Sequence, residues 1–132
     1  SGAADAITVS SAGSITLTSG TAITMDSNNN VSNAGSLTIN DADNATGILV
    51  KAGTTGNITN SGTITLTEDY TATDTDSDGD IDGTFAKGTN RNGILVESGA
   101  AHTGNIDTTG TISIEGNNSA GIRVNSTLIG NL

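Results

Sequence analysis

The sequence has no cysteine, proline or tryptophan, and its only aromatic residues are Tyr70 and Phe85. Without cysteine it has neither a disulfide framework nor a thiolate metal site. With so few large side chains, and 33% apolar residues overall, a thick globular core is hard to fill. Basic residues are also scarce. Lys51, Lys87, Arg91 and Arg123 face 14 acids, for a formal charge of −10. A nucleic-acid partner is excluded, because phosphate neutralisation needs a basic surface. An anionic membrane surface repels such a chain, whereas divalent cations are attracted to it. No apolar run approaches the ~20 residues of a membrane helix, so no direct membrane insertion is expected. The opening SGAADAITV has none of the layout of a signal peptide and reads as a flexible lead-in over its first five residues.

What the chain does have is repetition. NATGILVKAGTTGNITNSGTITL, from Asn44 to Leu66, returns as NRNGILVESGAAHTGNIDTTGTISI, from Asn90 to Ile114. A third copy begins at Asn118 as NSAGIRV and reaches GNL at Gly130–Leu132. Apolar residues fall two apart, as in Ile7/Val9, Ile15/Leu17, Ile23/Met25, Leu37/Ile39 and Ile64/Leu66. Period-two spacing in short blocks separated by Gly- and Ser-rich corners predicts strands, and no stretch carries helical spacing over two turns. Marker glycines recur at Gly13, Gly35, Gly62 and Gly110. One unit of roughly 22 to 28 residues with three strand blocks is the size of a solenoid coil. The predicted fold is all-β: a right-handed parallel β-helix of about four coils of three short strands, one domain over residues 1–132, with one loop insertion.

Comparing copies assigns faces. GILV, GILV and GIRV align Leu49, Leu95 and Arg123, and a position that accepts arginine does not face a dry core. Ile48/Val50, Ile94/Val96 and Ile122/Val124 are therefore expected inside. Asn44, Asn90 and Asn118, and the GN residues Asn57, Asn105 and Asn131, are expected to stack at corners and to tolerate left-handed backbone there. Gly47 to Gly93 spans 46 residues and Gly93 to Gly121 spans 28, an excess of 18. It falls in residues 67–89, an acidic loop insertion.

The motifs GILV, GNI, NSGTI and EGNNSAGI resemble the passenger region of bacterial outer-membrane autotransporters. That resemblance implies a right-handed parallel β-helix displayed outside the cell, secreted or on the bacterial surface. It implies no defined activity, and the family's membrane-embedded translocator barrel is absent from this sequence.

The insertion holds DTDSDGDID, which resembles the first part of an EF-hand or dockerin calcium loop. Asp74, Asp76 and Asp78 fit ligand positions one, three and five, and Gly79 fits the sharp turn. Asp80 offers its carbonyl and Asp82 fits position nine. Phe85 stands where the bidentate acid belongs, so Glu68, Asp69 or Glu97 must complete the shell. Calcium is the expected cofactor, because five alternating carboxylates repel one another without a cation. Tyr70 and Phe85 are expected to pin the insertion to the coils, and His102, in the polar corner AAHTGN, is expected to be exposed. No serine, histidine or carboxylate carries a catalytic signature, so no catalytic residues are expected.

The function these features predict is a surface-displayed structural segment, part of a stalk, adhesin, filament or surface layer. The alternatives are a glycan-binding adhesin recognising surface glycans, a polysaccharide-cleaving β-helix enzyme, and an ice-binding solenoid suggested by outward Thr rows. Terminal coils expose unpaired backbone, so neighbouring β-helix coils or end-to-end self-association are the expected partners.

Overall fold

Alternation of Ile, Val and Leu with Thr and Ser, broken by Gly and Asn, forms short parallel strands. The computed structural model describes residues 5–132. The first coil holds β1 (Ala6–Val9), β2 (Ser14–Leu17) and β3 (Thr21–Met25), and the second β4 (Asn30–Asn33), β5 (Ser36–Asn40) and β6 (Thr46–Val50). The third holds β7 (Ile58–Asn60), β8 (Thr63–Thr67) and, beyond the insertion, β9 (Asn92–Val96). Then follow β10 (His102–Thr103), β11 (Ile106–Thr108), β12 (Thr111–Ile114), β13 (Ala120–Val124) and β14 (Leu128–Ile129). Each strand stacks on its counterpart in the next coil, giving three four-stranded sheets, β1-β4-β7-β11, β2-β5-β8-β12 and β3-β6-β9-β13. All pairs are parallel, and β10 pairs with β14 at an additional corner. The architecture is the expected parallel β-helix, with no helical element among the described residues.

The core is a set of stacked columns. Leu37 and Ile64 lie one above the other, as do Ile48 and Ile94, all fully buried, with Ile15 and Ile112 half-buried at the ends of the first column. Leu49, Leu95 and Arg123 align across β6, β9 and β13 and are half-buried, while Ile48, Val50, Ile94 and Val96 are fully buried. Ile122 and Val124 of the edge strand β13 are half-buried members of the same cluster.

Asparagine works at two kinds of place. Asn44, Asn90 and Asn118 adopt left-handed backbone, with φ of 54°, 56° and 48°. The Asn90 side chain donates to Asn44 Oδ1 at 3.0 Å. Along the GN corner, the backbone N–H of Asn57 donates to Asn30 Oδ1, that of Asn105 to Asn57 Oδ1, and that of Asn131 to Asn105 Oδ1. A second column points inward and is not foreseen from the repeat. Buried Asn33 donates to Asn60 Oδ1 at 2.8 Å, and Asn60 donates to Thr108 Oγ1 at 3.1 Å. The Asn60 amide is thereby paired through both its oxygen and its nitrogen, while Asn33 Oδ1 is buried without a partner.

Register also refines the insertion. Ile64 pairs with Ile112, 48 residues on, and Ile94 pairs with Ile122, 28 residues on, so the β8–β9 corner is 20 residues longer than its counterpart. The spacing of 18 between glycines is the net value. The corner from Val96 to Ile106 is two residues longer than that from Val50 to Ile58. That longer corner carries β10 and reverses the expectation for His102, which is fully buried. Thr54 Oγ1 donates to the Lys51 carbonyl at 2.7 Å, so it accepts from His102 Nδ1 at 3.0 Å, which places the ring proton on Nδ1. Thr55 and Thr103 bridge adjacent coils, so His102 stacks over the inward Thr54 rather than leaving the corner.

Candidate metal centre and the base of the insertion

The insertion leaves the coil at Glu68 and rejoins it at Gly88, three residues before Arg91, and between them the sequence is polar with alternating aspartates. Such a stretch cannot bury apolar area and is shaped by its own hydrogen bonds. Asp74 accepts from the backbone N–H groups of Ser77 and Gly79, which wraps the chain around its carboxylate. Gly79 sits at φ 98°, a conformation suited to glycine at this turn. Asp76 accepts from the Asp78 N–H at 3.2 Å, and Asp78 from the Asp80 N–H at 3.0 Å.

The result brings one carboxylate oxygen from each of Asp74, Asp76 and Asp78 within 4.8 Å of one another. Oxygens sharing one calcium at ~2.4 Å lie no more than about 5 Å apart, so this cluster has the spread of a partial hard-cation shell. The three aspartates are therefore a group that can hold a metal ion. Asp82 does not join them. Its carboxylate accepts from the Thr75 N–H at 2.9 Å and the Thr75 hydroxyl at 2.7 Å, and its own N–H donates to the Thr73 carbonyl. The Asp80 carboxylate is not part of this group, which leaves its carbonyl as its expected contribution. The Gly79 N–H holds Asp74 below the usual carboxylate range, and the Thr75 hydroxyl does the same for Asp82. Both acids thus stay charged in the state a cation needs.

Of the three residues expected to complete the shell, Glu97 and Glu68 are engaged elsewhere, and Asp69 is exposed. Glu97 pairs with Lys51 at 2.9 Å on a different corner. Glu68 is turned into the base of the insertion, where its side chain is only 3% exposed. It accepts from the backbone N–H groups of Lys87 and Gly88, at 2.9 and 2.6 Å, and from Arg91 at 3.0 Å. Burial pushes its pKa up, but the Gly88 and Lys87 N–H groups and the Arg91 guanidinium outweigh this and hold it below the ordinary value.

Arg91 is the larger surprise. Its side chain is 1% exposed, the most voluminous of the fully buried ones. It donates to the Ala42 carbonyl at 2.8 Å, the Glu115 carbonyl at 2.8 Å and Glu68, and lies 3.8 Å from Asp41. One guanidinium thus ties the second, third and fourth coils together. The repeat alignment carried a signal. Asn92 registers with Thr46 and Ala120, so Arg91 stands where the other coils have Ala45 and Ser119. An arginine in a small-residue column marks local construction.

Phe85 does not pin the insertion as expected, whereas Tyr70 is half-buried. Phe85 is 74% exposed. Tyr70 lies beneath the Lys87 ammonium, 4.7 Å from its ring centre, at the neck of the loop. The neck is held by the buried Glu68–Arg91 ion pair.

Comparison with family models, curated proteins and solved structures returned no match for this chain.

Proposed function

We propose that this chain is a structural β-solenoid segment displayed outside the cell, a stalk, adhesin or filament component, and that its insertion binds calcium. The observation that carries this reading is the contrast between an unbroken ladder of coils and one acidic loop with three converging carboxylates. Parallel stacking fixes shape and length without needing a large core, which suits a rod. The resemblance to autotransporter passengers supports the extracellular setting, where millimolar calcium makes a weak, incomplete shell useful. A further coil, from another copy or a longer chain, would pair with the open edges of β11, β12 and β13.

Calcium over magnesium follows from the ligand set. Three exposed carboxylates on a pliable loop suit a large ion with irregular coordination, while magnesium demands a near-ideal octahedron. Isothermal titration with calcium chloride is expected to show one site with a dissociation constant on the order of 10⁻⁴ M. Asp76→Ala/Asp78→Ala is expected to abolish the heat while leaving the β circular-dichroism spectrum unchanged. No heat with the unaltered chain at millimolar calcium would sink the calcium reading.

A second reading is favoured by register on the outer face of β2-β5-β8-β12. Ser14, Ser36, Thr63 and Thr111 form one file in the pairing, and Thr16, Thr38, Thr65 and Ser113 another. Two uninterrupted hydroxyl files with a strand-spacing repeat of about 4.8 Å would suit an ordered water lattice. Ice binding would give thermal hysteresis that Thr38→Tyr/Thr65→Tyr removes, and no hysteresis at millimolar protein rejects this second reading.

A further inference from the structure

We infer that the Glu68–Arg91 pair makes the insertion an insulated module, one whose ordering, occupancy or removal leaves the coil stack unchanged. The inference rests on geometry at the neck and does not depend on which ligand the loop takes.

The repeat continues straight across the insertion. Thr111, Ile112, Ser113 and Ile114 register on β8, and Ile122, Arg123 and Val124 register on β9, as in the uninterrupted coils. The neck itself is paired as a coil corner. Thr89 bridges Asn117, Asn117 N–H donates to the Gly88 carbonyl, and Asn90 N–H donates to the Asn117 carbonyl. On the other side, Thr89 N–H donates to Asp43 and Asn44 N–H to the Thr89 carbonyl. By Gly88 the chain has already resumed the solenoid.

Glu68 closes the gap. Its one carboxylate receives Lys87, Gly88 and Arg91, so both ends of the excursion meet at a single buried group. Its own N–H donates to Glu115 in the next coil. Gly88 has no room for a side chain, since a Cβ would lie 2.1 Å from the Arg91 guanidinium. The short corner lost to the insertion is thus replaced by an ion pair that supplies the same closure.

Outside the neck the hydrogen bonds turn inward. Those of Asp74, Thr75, Asp76, Asp78 and Asp82 all stay within the insertion. Among the described residues, one side-chain bond runs from a coil to residues 69–86, from Asn117 Nδ2 to the Ala86 carbonyl at the neck. With its large apolar side chains Ile81 and Phe85 exposed and one such polar contact, little free energy links loop to stack. Removing residues 69–86 leaves six residues between Thr67 and Asn92, against five between Asn40 and Thr46, so the corner can still close.

The test uses the full chain and a variant lacking residues 69–86, both in chelator and in 5 mM calcium chloride. Limited proteolysis of the full chain is expected to cut only within 69–86, with the two fragments co-eluting as one β-rich species. The deletion variant is expected to melt cooperatively within about 3 °C of the full chain in chelator. Calcium is expected to slow the proteolytic cut at least fivefold while moving the main melting transition by under 1 °C. A deletion variant that is unfolded, or that melts more than about 8 °C lower while the nicked full chain falls apart, overturns the inference. So does a calcium shift of the main transition of several degrees. Absence of any calcium effect would count against the proposed calcium site alone, because the chelator comparison of nicked and deleted forms still decides the module.

Discussion

Gly62→Ala is expected to be among the most damaging single changes in this protein, costing about 4 kcal/mol or more, while Gly121→Ala is nearly silent. The added Cβ at Gly62 would lie 2.1 Å from the Gly35 carbonyl oxygen, with Ala34 C and Gly35 N at 2.6 and 2.8 Å. These are backbone atoms of the coil beneath, held by the ladder, so they cannot yield as a side chain does. Gly110 repeats the geometry one coil on, 2.0 Å from the Gly62 carbonyl. Backbone conformation is not the reason, since none of these three has a positive φ. At Gly121, by contrast, the nearest atom to an added Cβ is Ile112 Cγ2 at 3.7 Å, an ordinary contact. Gly93, which occupies the same GI motif, would meet the Gly121 carbonyl at 2.5 Å and should behave like Gly62. Urea unfolding of the three alanine variants checks this, and equal midpoints for Gly62→Ala and Gly121→Ala would refute it.

Glu68→Ala is expected to destabilise the chain by about 3–5 kcal/mol, because it leaves a buried guanidinium without its counter-charge. Arg91 keeps the Ala42 and Glu115 carbonyls but retains only Asp41, at 3.8 Å, as a nearby anion. Adding Arg91→Ser, the residue the fourth coil has at this position, removes the stranded charge. The double variant is expected to recover most of the loss, to within about 2 kcal/mol of the starting chain. A double variant no better than Glu68→Ala would mean the loss came from packing. The pH dependence has a fixed sign. Glu68 is depressed in the folded state, so its contribution is complete above the ordinary carboxylate value and lost as pH falls through the depressed one. Acid unfolding of Glu68→Gln should therefore show less stability loss between about pH 5 and pH 2 than the unaltered chain.

Several features were legible in advance because they depend on neighbours in sequence. Period two in Ile64/Leu66 or Ile48/Val50 fixes which side chains share a face, whatever the coil below contains. The left-handed Asn44, Asn90 and Asn118 are local backbone choices, and their spacing from Gly47, Gly93 and Gly121 repeats. The Asp74/Asp76/Asp78 convergence is equally local, since a tight turn brings alternating carboxylates together. Other expectations failed because they concerned contacts between distant residues. His102 looked exposed among Ala, Thr and Gly, yet a corner two residues longer than its predecessor turned it over Thr54, 48 residues away. Phe85 looked like an anchor because it is aromatic, but it is 74% exposed.

The sequence by itself determined the strands, their inward faces, the coil repeat and the place where it is interrupted. All of these follow from side-chain alternation and from comparing one copy with the next. Only the tertiary structure decided why the marker glycines must be glycine, what holds the insertion's neck, and where Arg91 and His102 go. Those answers lie between residues roughly 22 to 49 positions apart, brought together by parallel register. An atom's neighbours there depend on the length of every corner between, which no local pattern contains.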